Sequence, residues 1–305
     1  MKPAIVTGAT GMIARALIRC LVSHEVAVFA LKKPGDPLND EIFNSELVTV
    51  VEADISSLPA AAAQIDRPCS VLYHFAWLGT FGSSRDDAYL QNDNIRYTLD
   101  AVRLASLTGC EAFVGAGSQA ECGTLSGKLG MDAPTAPVTG YGIAKFTAGK
   151  LSRLYAEALG LRHCWTRILS VYGIGANPDT LLPSAILKML RGEHAAFTKG
   201  EQIWDFLYCD DCAEAFFAIG KNGRHGSCYP IGSGEARSLA DYICAARDAV
   251  DPSIKIGIGE LPYNPNQVMY LCADITQLTE DTGFVPSVSF EEGIARVVES
   301  LRASI

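Results

Sequence analysis

The stretch Thr7-Gly8-Ala9-Thr10-Gly11-Met12-Ile13-Ala14-Arg15 decides the fold. It follows a short apolar run, Ala4 to Thr7, and it opens a pattern of apolar residues at helical spacing. Glycines at such a point let the chain turn tightly from a strand into a helix and bring backbone N–H groups close to a phosphate. The spacing is G-x-x-G-x-x-A, and alanine is tolerated at the third position. The stretch therefore predicts a loop that binds the pyrophosphate of a dinucleotide.

The first half of the chain alternates short apolar runs with longer helical patterns. The predicted strands are 4–7, 26–31, 47–51, 71–75, 112–115 and 163–169, and the predicted helices are 12–22, 87–107 and 141–159. Strands that alternate with helices form right-handed βαβ units and a parallel sheet. We predict an α/β, doubly wound Rossmann sheet in residues 1–169, followed by a smaller C-terminal lobe, 170–305, interleaved with it. Beyond Leu181 we expect shorter elements, and we expect the alanine run 60–63 to be helical.

Composition excludes several classes of protein. The 305 residues carry 25 basic and 34 acidic side chains, which gives a formal net charge of −9. We therefore expect no nucleic-acid partner and no anionic membrane surface, although a local basic pocket for a phosphate remains compatible with this charge. No apolar run approaches the roughly 20 residues of a membrane span, and no leader precedes the first strand, so we expect a soluble, cytoplasmic protein.

Ten cysteines are scattered along the chain without the spacing of a disulfide framework. Buried free thiols in a reducing compartment explain such a distribution. Cys209 and Cys212 have the CxxC spacing of some redox and metal sites, but no second pair or neighbouring histidine completes a zinc set. We interpret both as apolar positions flanking Asp210 and Asp211, and we predict no metal site.

The end of the second predicted strand bears on the choice of dinucleotide. An adenosine ribose is expected there, about 20 residues after the glycine loop. Lys32 and Lys33 stand at this point, and no acid follows until Asp36. Two lysines suit the 2′-phosphate of NADP, whereas NAD sites usually carry an acid, so we predict NADP and keep NAD as the alternative. A solvated charge pair is the plainer explanation. Asp54 would either contact the adenine amino group or cap the helix near Ser56.

Tyr141 and Lys145 lie four residues apart at a predicted helix start, which places both side chains on one helix face. Free tyrosine has a pKa near 10, but an adjacent ammonium group favours the phenolate and brings it toward neutral pH. Lys145 could also hold the hydroxyls of a nicotinamide ribose. The spacing alone is common on helices and gains weight because it follows a phosphate loop. We predict that Tyr141 is a general acid–base group.

Together these segments resemble the extended short-chain dehydrogenase/reductase family of nucleotide-sugar epimerases and dehydratases. The resemblance covers nearly the whole chain and includes TGATGMIAR at 7–15, HFA at 74–76, Asn94-x-x-x-Thr98, GSQAECG at 117–123, YGIAK at 141–145, RILSVYG at 167–173, DFLYCDDCAEA at 205–215 and the segment 273–293. It implies that Ser118 completes a catalytic trio with Tyr141 and Lys145. It also implies a nucleotide-sugar substrate, substrate binding by the C-terminal lobe, and a homodimer formed through the helices that begin near Asp87 and Tyr141.

The resemblance also assigns binding residues. The implied cofactor contacts are Gly8, Thr10, Gly11, Met12, Ile13, Lys32, Lys33, Asp54, Ile55, Phe75, Ala76, Tyr141 and Lys145. The implied substrate contacts are Gln119, Ser170, Trp204 and Tyr263. Trp204 stands where the family often has an arginine that grips the diphosphate; it could stack on a nucleobase or belong to the core. Arg191, Lys199 and Arg237 are candidate substitutes for that arginine.

Departures from the family pattern narrow the reaction. Sugar 4,6-dehydratases carry an Asp-Glu pair directly after the hydroxyl residue, where this chain has Gln119 and Ala120, so we do not expect elimination of water. The epimerase-reductases of fucose synthesis have a cysteine at the position of Ala120. We predict NADP-dependent reduction of a 4-keto-6-deoxy nucleotide sugar at C4, because the SQAE and SVYG runs are similar to CDP-abequose and CDP-paratose synthases. The alternatives are an NAD-dependent 4-epimerase and a non-catalytic NADP-binding regulatory protein.

Overall fold

Strands and helices alternate along the chain, of which the computed structural model describes residues 2–265 and 267–305. The strands are β1 (Ala4–Thr7), β2 (Val28–Lys32), β3 (Val48–Glu52), β4 (Val71–His74), β5 (Ala112–Gly115), β6 (Arg162–Ile168), β7 (Ser170–Tyr172), β8 (Ala196–Phe197), β9 (Ile203–Trp204), β10 (Phe206–Tyr208), β11 (Cys228–Ile231), β12 (Arg237–Ser238) and β13 (Gly257–Ile258). The α-helices are α1 (Met12–Ser23), α2 (Ala88–Leu107), α3 (Gly140–Ala158), α4 (Leu181–Leu190), α5 (Cys209–Asn222), α6 (Leu239–Val250), α7 (Thr276–Thr282) and α8 (Phe290–Arg302). Short 3-10 helices span Glu41–Asn44, Ile55–Gln64, Gly82–Asp86 and Gln119–Glu121.

Seven parallel strands form the central sheet in the order β11-β6-β5-β4-β1-β2-β3. β1 lies between β2 and β4, and Val6 pairs with Ala30 on one side and Tyr73 on the other. The chain builds outward from β1 to β3 and then resumes at β4 on the other side, so the topological switch lies between β1 and β4. Ligands of such sheets bind in the crevice at the carboxyl ends of the strands at this switch. The prediction of a doubly wound parallel sheet is confirmed.

Helices cover both faces of the sheet, and the short strand β1 shows how the sequence achieves this. Ala4 and Val6 belong to one buried cluster with residues of α1 and α5, whereas Ile5 turns to the opposite cluster with residues of α2 and α3. Strands buried on both faces read as continuous apolar runs, which is why the sequence marks them clearly. Full burial of a side chain such as Ile5 contributes about 1.5–3 kcal/mol.

Observed boundaries differ from the predicted ones by one or two residues. β2 begins at Val28, later than predicted, because the Val26 N–H donates to the Leu21 carbonyl and closes the end of α1. The alanine run 60–63 lies in the 3-10 helix Ile55–Gln64 and not in an α-helix. That helix contains Pro59, which has no N–H to donate, and a kink at Ser57, whose dihedral angles are non-helical. Beyond Leu181, where we expected shorter elements, the strands are two to four residues long, but helix α5 has 14 residues.

Residues 170–305 contribute to the sheet as well as to smaller elements. β11 pairs in parallel with β6, while β10–β7, β12–β9 and β13–β8 form three separate two-stranded sheets. The fully buried carboxylate of Asp205 fastens these elements together. It accepts hydrogen bonds from the Ser233 N–H and hydroxyl, the Gly234 N–H and the Ala273 N–H. A domain boundary at residue 169 stays a prediction.

The cysteines are free thiols, and eight of the ten are buried. Burial raises the pKa of Cys209 to about 12 and holds the pKa of Cys212 well above its usual value, so both thiols of the CxxC pair are protonated. This environment favours the interpretation of the pair as apolar core positions. Among the described residues, no helix is both long enough and apolar enough to span a bilayer.

Candidate active site

The glycine loop joins β1 to α1 at the carboxyl edge of the sheet. Gly8 has a φ of 67°, and a Cβ at this position would lie 2.8 Å from the Ala76 nitrogen, so both conformation and space require glycine. α1 begins after Gly11 with no side-chain cap and no acid in its first turn. Its first N–H groups therefore remain available to an anion, and the helix dipole favours one. The predicted loop residues thus fit a pyrophosphate.

Thr7 ties the end of β1 to the end of β4. Its Oγ1 accepts hydrogen bonds from the N–H groups of Phe75 at 3.2 Å and Ala76 at 3.3 Å, and it lies 2.9 Å from Nδ1 of His74. Burial lowers the pKa of His74 to about 3, so the ring is neutral and Nδ1 can accept the Thr7 hydroxyl hydrogen. This tie holds Phe75 and Ala76, two predicted cofactor contacts, against Gly8.

Lys32 and Lys33 have different environments. The Lys32 side chain is 7% exposed, and its Nζ donates to Oε1 of Glu52 at 2.7 Å. Glu52 is the β3 residue paired with Lys32 in the sheet register. Lys33 is exposed. The carboxylate of Glu52 therefore lies beside the end of β2, although it is distant along the chain. The next acid along the chain is Asp36, which accepts a hydrogen bond from the Thr10 hydroxyl at 3.3 Å.

Asp54 and Ile55 follow β3. Asp54 accepts hydrogen bonds from the Ser56 N–H at 2.9 Å and the Ser56 hydroxyl at 2.7 Å, which lower its pKa. The structure therefore gives Asp54 the helix-capping role that the sequence left open. An adenine contact for either residue stays a prediction.

Tyr141 and Lys145 lie on the first turns of α3 and point the same way. The Lys145 Nζ is 5.7 Å from the centre of the Tyr141 ring and 3.6 Å from the centre of the Trp77 ring. It donates to the Ala116 carbonyl at 2.6 Å. Burial lowers the pKa of this amine to about 7, within the range where small changes in its surroundings decide its charge.

Ser118 follows β5 and caps the 3-10 helix Gln119–Glu121. Its Oγ accepts from the Ala120 N–H at 3.2 Å. Burial raises the pKa of Tyr141, while a hydrogen bond with the Ser118 side chain and the nearby Arg85 guanidinium oppose that rise. The structure thus brings Ser118, Tyr141 and Lys145 together, as the sequence predicted.

Sequence reasoning missed three side chains of this cluster. The Trp77 and Tyr141 rings pack edge-to-face with their centres 6.0 Å apart, and the Arg85 guanidinium lies 4.3 Å from the centre of the Tyr141 ring. Glu121 lies behind Ser118, fully buried. Trp77 directly follows the HFA segment at the end of β4, so its position was a usable signal. Arg85 lies in a 3-10 helix without any recognisable pattern.

The predicted substrate contacts Ser170 and Trp204 meet each other. The Trp204 Nε1 donates to the Ser170 Oγ at 2.8 Å, and Trp204 packs against both the main core and a small apolar cluster that includes Leu169 and Leu271. Arg237, a candidate for the diphosphate, pairs with Trp204 across β12 and β9 and donates to Glu291 at 2.5 Å. Trp204 is therefore a half-buried residue at the edge of the core.

Gln119 and Tyr263 are the other two predicted substrate contacts. Gln119 neighbours Ser118 and lines a mostly apolar cavity whose other walls include Leu129 and Tyr270. The Tyr263 hydroxyl accepts from the Glu201 N–H at 3.0 Å and donates to its carboxylate at 3.1 Å. A substrate role for either residue stays a prediction.

Among the described residues, one group could supply three metal ligands: Cys20, His24 and Glu214. It lies at the C-terminal end of α1, the opposite end from the glycine loop. A metal there would not reach the catalytic cluster, so this group has no part in the candidate active site.

Comparisons with known proteins bear on the family and on the fold. The chain is 29% identical over 171 residues to dTDP-glucose 4,6-dehydratase of Shigella flexneri, which covers 54% of this chain and 47% of that protein. The chain thus spans about half the length of the curated relatives it matches. The structure of UDP-glucuronic acid 4-epimerase from Bacillus cereus, in complex with UDP-glucuronic acid and NAD, superposes with a TM-score of 0.85 at 22% identity, covering 99% of this chain and all of the other. The structure of RMD from Pseudomonas aeruginosa, complexed with NADPH, superposes with a TM-score of 0.85 at 16% identity and covers both chains fully.

A match to a family model identifies the family of the chain. The model describes the NAD dependent epimerase/dehydratase family and matches residues 4–232, which include the glycine loop, Ser118, Tyr141, Lys145 and all strands of the central sheet. The sequence resemblance is thereby confirmed, and the protein belongs to the NAD dependent epimerase/dehydratase family of extended short-chain dehydrogenases/reductases.

Proposed function

We propose that this protein is an oxidoreductase that uses a nicotinamide dinucleotide to transfer hydride at C4 of a nucleotide sugar. The observation that carries the proposal is the cluster of Ser118, Tyr141 and Lys145, in which the Ser118 side chain opposes the rise that burial causes in the pKa of Tyr141 and the buried amine of Lys145 lies 5.7 Å from the centre of the Tyr141 ring. The uncapped start of α1 and the space kept open at Gly8 fit the phosphates of the cofactor. Solved relatives of the same fold carry NAD or NADPH, and the Bacillus cereus epimerase carries a UDP-sugar.

The side chains of the cluster divide the work. When bound, the nicotinamide supplies or accepts the hydride. Tyr141 donates its hydroxyl proton to the oxygen at C4 during reduction and removes it during oxidation, while the Ser118 hydroxyl donates a hydrogen bond to the same oxygen. Lys145 holds the ribose and stabilises the Tyr141 phenolate by its charge. Arg85 adds a second positive charge over the Tyr141 ring.

The cluster lacks the groups for elimination of water. Gln119 and Ala120 stand where the dehydratases of the family carry two carboxylates, and an amide and a methyl group cannot exchange protons with a sugar carbon and its hydroxyl. Glu121 is the remaining carboxylate of this 3-10 helix, and it is buried against Trp165 and Arg167. We therefore propose chemistry confined to hydride and proton transfer at C4.

We propose NADPH-dependent reduction of a 4-keto-6-deoxy nucleotide sugar as the direction of the reaction. Lys33, exposed at the end of β2, supports the NADP preference because its ammonium is available to a 2′-phosphate. Lys33→Ala should weaken NADPH binding by roughly tenfold and leave NADH binding unchanged. Lys32→Ala is the matched variant, and it should change the preference less because the Lys32 ammonium is held by Glu52.

A second candidate function is NAD-dependent 4-epimerisation. The ion pair of Lys32 with Glu52 favours it, because one of the two lysines is neutralised and a carboxylate stands at the edge where NAD enzymes place an acid. An epimerase oxidises C4 and then returns the hydride to the other face of the ketone, so it shows no net consumption of cofactor.

One experiment separates the two functions. Purified protein is mixed with NADPH and a panel of 4-keto-6-deoxy nucleotide sugars, and NADPH absorbance is followed; a parallel set contains saturated nucleotide sugars and NAD. Loss of NADPH with one ketosugar supports the reductase, and interconversion of two C4 epimers without net change supports the epimerase. Tyr141→Phe is the control. If the wild-type protein does neither with any nucleotide sugar, the proposed oxidoreductase function is wrong.

We also propose a homodimer formed through the outer faces of α2 and α3. Ile143, Leu151 and Leu154 form an apolar stripe on α3 and are 41–63% exposed, and Tyr89 on α2 is 88% exposed. Exposed apolar patches of this kind are typical of protein interfaces. Leu154→Glu should convert a dimer to a monomer in sedimentation, with Leu159→Glu, at the end of α3, as the control.

The cysteines support a cytoplasmic location as a proposal. Ten free thiols, of which eight are buried, suit a protein that folds in a reducing compartment. Under native conditions a thiol reagent should label Cys244, which is partly exposed, much faster than the buried cysteines. It should label Cys228 slowly, because burial raises the pKa of that thiol to about 12.

A further inference from the structure

Glu121 is a buried carboxylate that the proposed mechanism does not use. Only 2% of its side chain is exposed. Burial of a charge costs several kcal/mol unless partners compensate. The partners of Glu121 therefore show what this position does.

The first partners tie Glu121 to the Ser118 turn. Its Oε1 accepts a hydrogen bond from the Ser118 N–H at 2.9 Å, while the Ser118 Oγ accepts from the Ala120 N–H at 3.2 Å. This reciprocal arrangement is a capping box, which fixes both the backbone of Ser118 and the rotamer of its hydroxyl. The direction of the Ser118 hydroxyl toward Tyr141 thus depends on the Glu121 side chain.

The second set of partners lies on β6. The Trp165 Nε1 donates to the same Oε1 at 2.9 Å, and the Arg167 Nε lies 3.5 Å from Oε2. Three glycines make room for the indole: a Cβ at Gly115, Gly117 or Gly149 would overlap the Trp165 ring. The absence of side chains at these three glycines therefore leaves the space in which Trp165 donates to Glu121.

Glu121 and Lys145 bind the same short segment after β5: the Lys145 Nζ donates to the Ala116 carbonyl at 2.6 Å, and the Ser118 N–H, two residues later, donates to Glu121. Glu121 therefore also acts on Lys145 through its charge. Burial lowers the pKa of Lys145 to about 7, and the Glu121 carboxylate opposes that decrease. Burial raises the pKa of Glu121 itself, against its hydrogen bonds from Trp165 and Ser118. The charged and titratable groups that influence Glu121 or Lys145 electrostatically are Arg167, Tyr141, His74, Cys122 and Cys228.

We propose that Glu121 is a positioning residue for hydride transfer, which aims the Ser118 hydroxyl at Tyr141 and supplies a negative charge beside the Lys145 ammonium. The inference rests on the proposed function. Through these two tasks Glu121 links the hydrogen-bonding geometry at Tyr141, the proton donor, to the charge of Lys145.

Glu121→Gln separates the two tasks, because the amide oxygen can still accept from Ser118 and Trp165 while the charge is lost. Without that charge the pKa of Lys145 falls, so the ammonium disappears at a lower pH. We expect turnover near neutral pH to fall by roughly tenfold, because a decrease of about one unit in the pKa of Lys145 leaves only about a tenth of the amine protonated. The upper limb of the pH–rate profile should move to lower pH.

Glu121→Asp keeps the charge but shortens the side chain, so it should restore the position of the pH limb while kcat stays reduced. Trp165→Phe removes one donor and leaves the charge in place. Trp165→Phe should therefore lower the melting temperature and leave the upper limb of the pH–rate profile at the same pH.

A second readout does not require turnover. The Lys145 Cε resonance of the cofactor-free protein is titrated by 13C NMR, with Lys145→Arg for assignment, and the Glu121→Gln midpoint should be lower than that of the wild-type protein. An unchanged midpoint in folded Glu121→Gln overturns the inference even when the wild-type enzyme is active. Absence of activity in the wild-type protein instead overturns the proposed function. If Glu121→Gln fails to fold, a wild-type-like kcat in Glu121→Asp overturns the inference.

Discussion

Replacement of Gly8 by alanine tests the central constraint of the glycine loop. A φ of 67° costs an ordinary L-residue about 1–2 kcal/mol. The new Cβ would also lie 2.8 Å from the Ala76 nitrogen and 3.0 Å from its Cα, and overpacking against a backbone that cannot yield costs about 1–3 kcal/mol. Together these penalties predict a loss of about 2–5 kcal/mol in the free energy of unfolding.

Gly160 is the matched control. It has a φ of 71°, yet a Cβ there would meet nothing within 4 Å, so Gly160→Ala carries only the first penalty of about 1–2 kcal/mol. For a chain of this size, 1 kcal/mol corresponds to about 2 °C in melting temperature. We expect decreases of about 4–10 °C for Gly8→Ala and about 2–4 °C for Gly160→Ala in thermal unfolding followed by circular dichroism.

Cofactor binding provides the functional readout of the same pair. Gly8→Ala should weaken binding of NAD(P)H by at least about tenfold in a fluorescence titration, because a shifted loop misplaces the N–H groups that meet the phosphates. Gly160→Ala should leave the affinity unchanged. Equal destabilisation by the two variants would refute the close approach to Ala76, and undiminished affinity in Gly8→Ala would refute the role of the loop.

Three further outcomes follow from the described contacts. Tyr141→Phe should lower kcat/KM by about 10²- to 10⁴-fold while the Kd of the cofactor stays within about twofold, since the hydroxyl acts only in proton transfer. Asp205→Asn should lower the free energy of unfolding by about 3 kcal/mol in urea, because one amide cannot accept all four hydrogen bonds, whereas the exposed Asp132→Asn should have no effect. Burial lowers the pKa of both His74 and His163 to about 3, against about 6.5 in the unfolded chain, so the unfolded state binds more protons between these values. Stability should therefore fall as pH decreases from about 6.5 toward 3, and a melting temperature that stays constant over this range would contradict neutral, buried rings.

The parts of the fold that the sequence predicted are those encoded locally. Gly8 and Gly11 stand between an apolar run and a helical pattern, and fully buried strands read as continuous apolar segments. Tyr141 and Lys145 were recognisable because a four-residue spacing fixes their relation on any helix. Helix ends were less predictable, since Val26 contributes its N–H to the end of α1 and only then leads into β2.

The missed contacts depend on pairing between distant segments. Lys32 meets Glu52 because β2 and β3 pair in one particular register, and a register cannot be read from either strand alone. Arg85 reaches the Tyr141 ring from a 3-10 helix without a sequence pattern. Glu121 was passed over within a recognised segment, because its role depends on a tryptophan 44 residues further along the chain.

The tie between Thr7 and the end of β4 has a consequence for the kinetics of cofactor exchange. Because the hydroxyl of Thr7 and the ring of His74 hold the loop from within the sheet, the phosphate-binding N–H groups owe their arrangement to the protein interior. A loop that is already ordered loses little conformational entropy when a ligand arrives. Binding and release of a dinucleotide then require no refolding of the loop. The rates of both steps should depend on the contacts of the dinucleotide itself and not on an ordering step of the protein.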